Sequence, residues 1–132
     1  MFYRVSLVVP ATTLITAPVT ALIPAVRGVV YRVSVQFPFG CAGLVGVSIW
    51  HRLFQLWPSN MGEWFASDGQ TIEFQEEYQL VEVPYVLCVR GYSDDDTYDH
   101  KITVRLGVRK LEAGRLPAWM YRLTGRTWEG QY

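Results

Sequence analysis

The sequence predicts an all-β protein, an antiparallel β-sandwich of about eight strands, from three observations. Apolar and polar residues alternate with a period of two over residues 29–37 and again over 100–109, as in a strand with one buried face. Turn-forming residues recur roughly every 8 to 12 positions, a spacing typical of a sandwich. No segment shows the periodicity of an amphipathic helix.

The first third of the chain predicts two strands and an extended segment between them. Residues 4–9 form the first strand. Residues 10–26 are rich in Thr, Pro and Ala, and proline confines such a segment to an edge strand or a surface strap. Residues 28–37 predict the central strand, whose alternation places on one face Val29, Tyr31, Val33, Val35 and Phe37.

The rest of the chain predicts further strands separated by Pro and Gly turns. Residues 44–57 are apolar on both faces and predict one long bent strand or two, with Gly46 as a candidate bulge. Shorter strands follow at 63–66, 70–74, 78–83, 85–92 and 99–109. We expect one domain with its core over about 27–110, an extended N-terminal segment, 10–26, and a C-terminal arm, 112–132.

Composition indicates more large apolar surface than one small sandwich can bury. Half of the 132 residues are hydrophobic and 14% are aromatic. Large exposed apolar patches usually mark an interface, so we expect part of this surface to face a protein partner. The net charge is zero, which argues against direct binding to nucleic acid. No apolar run approaches the roughly 18 residues of a membrane span, so no membrane partner is expected.

The charges are unevenly distributed along the chain. Ten of the twelve acidic residues lie between positions 61 and 100, whereas seven of the twelve basic residues lie between 101 and 132. Ten of the twelve bases are Arg, the cation that is favoured at interfaces. Either folding mixes these charges on a solvated surface, or acidic and basic parts of neighbouring copies meet.

The chain offers no recognisable catalytic set, and we predict a protein that is not an enzyme. His51 and His100 are its two histidines, and neither lies in a metalloprotease or zinc-finger spacing. No Ser lies in a nucleophile elbow, and the glycines are scattered rather than gathered in a phosphate loop. Cys41 and Cys88 have no metal spacing; two buried thiols or one bridge are both compatible with them. We therefore predict no catalytic residue, no cofactor and no resident metal.

The most polar stretch, Asp94 to His100, allows three interpretations. Its clustered carboxylates suit calcium, although the glycine and terminal glutamate of an EF-hand loop are missing. Aspartates in a hydrated turn also cap backbone amides. A third use is as the acidic half of a contact with arginines of a neighbouring copy.

An aromatic set gives the alternative function, a carbohydrate-binding module that could depend on calcium through residues 94–99. Such modules stack sugar rings on exposed aromatic side chains. The candidates are Trp50, Trp57, Trp64, Tyr92 and Tyr98. The other interpretation of the same residues is that they pack in a core or an interface.

The overall design resembles the small jelly-roll proteins that decorate or cement bacteriophage and viral capsids. The resemblance covers roughly residues 4–110 and lies in the Thr/Pro-rich segment, the stretch 27–40, the turn Trp57-Pro58-Ser59-Asn60 and the stretch 91–104. It implies a jelly-roll-like virion protein at the capsid surface, made in the host cytoplasm and often trimeric. Its implied partners are copies of itself and the major capsid protein or another virion protein.

The residues of the C-terminal arm are the predicted contacts of such an assembly. Arms of this kind add strands to a neighbour or lay aromatic side chains in its grooves. We predict that residues 10–26 and 116–132 carry the contacts. The predicted interface residues are Trp119, Tyr121, Arg122, Arg126, Trp128 and Tyr132.

Overall fold

The computed structural model describes residues 1–110. The C-terminal arm and its six predicted interface residues lie outside the described residues. Eight strands make up the described chain, and no helix occurs within it. The strands are β1 (Phe2–Val9), β2 (Val19–Pro24), β3 (Gly28–Gln36), β4 (Val45–His51), β5 (Phe54–Trp57), β6 (Thr71–Leu80), β7 (Val86–Ser93) and β8 (His100–Lys110).

The eight strands form two antiparallel sheets, which confirms the predicted all-β sandwich. One sheet has the order β1-β8-β3-β6 and the other β2-β7-β4-β5. Strand β1 pairs with β8, β2 with β7, β3 with β6 and β4 with β5. The chain is thus arranged like one long hairpin folded over on itself. The β3–β8 and β4–β7 pairs join these nested pairs into sheets. This is the connectivity of a jelly roll.

The connectivity sorts the loops between the two ends of the sandwich. The connections 10–18, 37–44, 58–70 and 94–99 follow β1, β3, β5 and β7, and we call them together the four-loop end. The shorter connections 25–27, 52–53 and 81–85 lie at the opposite end. Lys110 also lies there, because it pairs in register with Gly28, the first residue of β3.

The core lies between the facing surfaces of the two sheets and is almost entirely aliphatic. Its fully buried side chains include Val33, Val35, Leu87, Val104 and Leu106. Burying an aliphatic side chain of this size contributes about 1.5–3 kcal/mol. The central strands β3, β8, β4 and β7 supply most of these residues.

A bulge in β3 changes the predicted orientation of its first half. The register of β3 shifts between Val30 and Arg32 against both neighbours, which leaves Tyr31 as the extra residue against β8. Val33 and Val35 face the core as predicted, but Val30 is the buried residue before the bulge. The prediction that Val29 and Tyr31 face the core was therefore wrong, because strict alternation cannot contain an extra residue.

The sheets begin before the expected core boundary at residue 27. β1 pairs with β8 over eight residues, and β2 pairs with β7 over six. Leu7, Val9 and Ile23 are buried in the core, so the segment 10–26 is partly a strand of this sandwich. As proline predicts, β2 is an edge strand.

The middle of the chain forms fewer and longer strands than predicted. Residues 44–57 form two strands, β4 and β5, and their bulge lies between Ile49 and Trp50 rather than at Gly46. Gly46 is needed for another reason, because a Cβ there would overlap the Tyr92 ring. The predicted strands 70–74 and 78–83 join as β6, whereas residues 63–66 contribute one isolated bridge, Phe65 to Val47.

Candidate interaction surfaces

His51, the first candidate for chemistry, is a buried link between the two sheets. Its Nδ1 lies 2.7 Å from the Tyr78 hydroxyl, and its Nε2 lies 3.0 Å from the carbonyl oxygen of Pro84. In the neutral ring, Nε2 therefore donates to the carbonyl and Nδ1 accepts from the hydroxyl. Burial, reinforced by the charge of Glu82, raises the pKa of Tyr78, which keeps its hydroxyl proton available for this bond.

A groove of about 720 Å³ opens beside His51, between the edge strands β5 and β6. Its apolar lining comes from Leu53, Phe54, Leu56, Tyr78 and Val81. Glu82 also lines it and accepts a hydrogen bond of 3.2 Å from Arg52. His51 and Glu82 thus share the groove, but each bonds to other groups, so they do not form a bonded acid–base pair.

His100, the second candidate, is held by the acidic loop. Its Nε2 lies 2.6 Å from Oδ2 of Asp95, and both side chains are largely buried. Asp95 Oδ1 also accepts from the backbone amides of Thr97 and Tyr98. The hydrogen bond with His100, followed by those with the amides, holds the pKa of Asp95 below its usual range. The pair fixes the conformation of the loop between β7 and β8.

Two further carboxylates of this loop, Asp96 and Asp99, also bond within the four-loop end. Asp99 accepts from the amide of Ala11 at 2.9 Å, and Asp96 accepts from the Thr97 hydroxyl at 2.9 Å. These are the bonds of a turn in which aspartates cap the backbone. Within residues 1–110, no group of three or more His, Cys, Asp or Glu side chains is placed to hold a metal ion.

Negative charge collects at the four-loop end after folding. Asp68, Asp94, Asp96 and Asp99 lie there, all exposed, and among the described residues no Lys or Arg forms an ion pair with any of them. Burial, followed by the negative charges of Asp68 and Asp95, raises the pKa of the nearby Cys41 thiol.

Within residues 1–110, three of the four glutamates beyond this end form exposed ion pairs, Glu73 with Arg32, Glu77 with Arg109 and Glu82 with Arg52. Over this part of the chain, folding therefore does not mix the charges evenly. It neutralises part of the acidic segment and leaves the aspartates concentrated at one end.

Large apolar side chains are exposed at the same end. Phe39 is 87% exposed and packs over Gly69, while Leu14, Ile15 and Tyr98 are each at least half exposed. Hydrogen bonds tie their loops together: the Thr12 amide donates to the Asp95 carbonyl at 2.8 Å, and the Gly40 amide to the Asp68 carboxylate at 2.8 Å. The four-loop end is thus one connected surface, both apolar and acidic.

The aromatic set proposed for sugar stacking is mostly engaged in packing. Trp57 is only 4% exposed and contacts Phe74 and Tyr78 edge to face, so the idea that it stacks on a sugar was wrong. Trp50 lies under the Arg90 guanidinium, and Trp64 packs on Tyr92. Tyr98 is the member that stays exposed.

Sequence inspection missed the exposed apolar residues of the four-loop end. Phe39 lies in a Pro-Phe-Gly turn, and Leu14 and Ile15 lie between threonines and prolines. Large apolar side chains inside turn sequences were the available signal, since turns lie at the surface. Both cysteines are free, Cys41 buried and Cys88 partly buried.

Two further observations complete the description. Among residues 1–110, no helix is long and apolar enough to cross a membrane. No protein-family model and no curated protein matches the chain.

Proposed function

We propose that this chain is a non-enzymatic structural protein of a virion, a capsid decoration or cement protein that stabilises a lattice by binding copies of itself and a capsid protein. The observation that carries the proposal is the four-loop end, where Leu14, Ile15, Phe39 and Tyr98 expose apolar surface on connected loops. Exposed apolar surface of this kind is the usual mark of a protein interface.

Fold and chemistry support the same proposal. Jelly rolls occur in viral capsid and lectin domains, although a fold alone does not assign a function. The ring nitrogens of His51 and His100 bond to Tyr78, Pro84 and Asp95, so their role within the described residues is to hold the sandwich together. The Trp side chains suited to sugars pack within the protein, which favours assembly over glycan binding.

The proposal includes the arrangement of the assembly. The chain forms a homotrimer on the capsid surface after synthesis in the host cytoplasm, and residues 116–132 supply contacts to a neighbour. Trp119, Tyr121 and Trp128 are the aromatic anchors, because Trp, Tyr and Arg dominate the binding energy of protein interfaces.

The four-loop end is tested with Leu14→Ser and Phe39→Ser in the full-length chain. We expect each to weaken self-association by roughly tenfold, since removing a large apolar anchor costs about 1–2 kcal/mol of binding. Sedimentation velocity over a concentration series measures the change. Leu22→Ser is the matched control: Leu22 is as exposed as Leu14 (62% against 65%), but it lies within the edge strand β2, away from the four-loop end.

Two results would contradict the proposal. One is an unaltered chain that remains monomeric at every concentration and does not bind purified capsids. The other is specific, saturable binding on a glycan array, which would support the carbohydrate-binding alternative. A calcium chelator added to the array would then show whether residues 94–99 take part.

A further inference from the structure

We infer that the four-loop end of one copy binds the C-terminal segment 111–132 of a second copy, so that copies join head to tail. This inference rests on the proposed function and names the two surfaces that meet. The aspartates alone would not define a docking surface. The exposed apolar side chains of Phe39, Tyr98 and Leu14 lie among the aspartates, so the surface is both apolar and acidic. The segment 111–132 carries aromatic and basic side chains that complement these two properties.

The segment has the charge and the side chains that complement this surface. It contains three arginines and two glutamates, and between Trp119 and Trp128 it holds two arginines and no acid. Arginine pairs with carboxylates through two parallel hydrogen bonds. Trp and Tyr supply broad apolar contact area at interfaces. The exposed Asp94 and Asp96 would receive the arginines, and Phe39 and Tyr98 the aromatic rings.

The length of the chain keeps Trp119 from the four-loop end of its own copy, although Arg122 and Arg126, at least twelve residues beyond Lys110, are far enough along the segment to reach back. β8 runs from His100 at the four-loop end to Lys110 at the opposite end, a distance of about 33 Å for ten steps of about 3.3 Å. Trp119 is nine residues beyond Lys110, so a fully extended chain carries it at most about 32 Å. To return toward the four-loop end of its own copy, the chain must also reverse its direction after Lys110, which shortens its reach. Trp119 therefore does not reach the loops of its own sandwich.

A neighbouring copy stacked end to end removes this obstacle. The segment leaves one sandwich at the opposite end, and the four-loop end of the next copy then lies directly ahead of it. Such a contact joins two different surfaces, so it closes into a ring or continues as a filament according to the rotation between copies. A three-membered ring satisfies the proposed homotrimer.

Charge reversal in the full-length chain tests the contact. Asp94→Lys/Asp96→Lys changes the four-loop end, and Arg122→Glu/Arg126→Glu changes the segment. Each variant alone places like charges at every contact, so we expect each to raise the dissociation constant of self-association by roughly tenfold or more. Glu73→Lys/Glu77→Lys is the control. These side chains are 41% and 71% exposed and lie within the edge strand β6, between the two ends of the sandwich, and the control should assemble normally.

An equimolar mixture of the two variants gives the decisive result. Native segments then meet native aspartates, and reversed segments meet reversed loops, so contacts between unlike variants should form. In a three-membered ring one contact of every three still joins copies of the same variant, so we expect self-association to recover in part, well above that of either variant alone. Mixing cannot repair a misfolded chain, so recovery separates lost contact from lost structure. Raising the salt concentration should weaken both the native and the mixed assembly.

The outcomes distinguish this inference from the function on which it rests. If the unaltered chain assembles but the mixture stays as weak as its separate components, or if neither variant changes assembly, the head-to-tail contact is wrong and the proposed function stands. If the unaltered chain neither assembles nor binds capsids, both fail.

Discussion

Single residues in this protein are fixed by contacts that their local sequence does not reveal. His51 and His100 are both buried, but one links two sheets through Tyr78 and the other anchors a loop through Asp95. Gly46 is required because the Tyr92 ring occupies the space of a side chain. The identity of each residue was visible in the sequence, whereas its partner, 5 to 46 positions away, was decided by the fold: by strand pairing for Gly46 and Tyr92, and by contacts outside the strand pairs for the two histidines.

Asp95 should make the stability of the sandwich depend on acidic pH. Its pKa is lower in the folded chain than its ordinary value of about 3.9. The stabilisation is therefore complete above the ordinary pKa and is lost as the pH falls through the folded-state pKa. We expect the free energy of unfolding to fall on acidification below about pH 4.

The Asp95→Asn variant isolates this contribution. It should be less stable than the unaltered chain at neutral pH and show a shallower acid dependence, as measured by urea unfolding from pH 7 to below 4. An unchanged acid slope in this variant would mean that other carboxylates control the effect. Asp94→Asn is the control, because Asp94 is exposed and the His100 ring bonds to Asp95 instead.

Whole strands were predictable wherever alternation is uninterrupted. β8 buries every second residue from His100 to Val108 and was predicted within one residue of its bounds. β3 was predicted at the right place, but a bulge at Tyr31 reverses the faces of the residues before it. The alternating pattern shows which residues share a face of the strand only within an unbroken stretch, because one extra residue exchanges the two faces.

The bulge in β3 predicts unequal effects for two adjacent valines. Val30→Ser places a hydroxyl in the core and removes apolar contacts, so it should lower the free energy of unfolding by about 2–4 kcal/mol. Val29→Ser changes a half-buried side chain on the other face and should cost about 1 kcal/mol or less. Chemical denaturation of both variants measures the difference. A larger loss for Val29→Ser would restore the strict alternation and contradict the bulge.

At the scale of the molecule, the described sandwich has a closed core. The nested pairs join β1 to β8, and nineteen buried apolar side chains from residues 7–108 form one cluster. This cluster is built from residues 7–108 alone, so we expect the sandwich to fold without residues 116–132.

Deletion of residues 116–132 tests this separation of fold and assembly. We expect the shortened chain to unfold cooperatively, with a far-ultraviolet circular dichroism spectrum typical of β-structure, and to have lost self-association. Size-exclusion chromatography with light scattering measures the second property. Normal assembly of the shortened chain would remove the predicted role of Trp119, Tyr121 and Trp128.

The sequence alone determined that this chain folds into sheets, about how many strands it has, and where most of them lie. It could do so because alternation and turn residues are local signals. Only the tertiary structure decided which strands pair, that the acidic loop and the exposed Phe39 share one end, and that β1 and β2 belong to the sandwich. Those features depend on contacts between distant residues, such as Val9 with His100, and no local pattern encodes them.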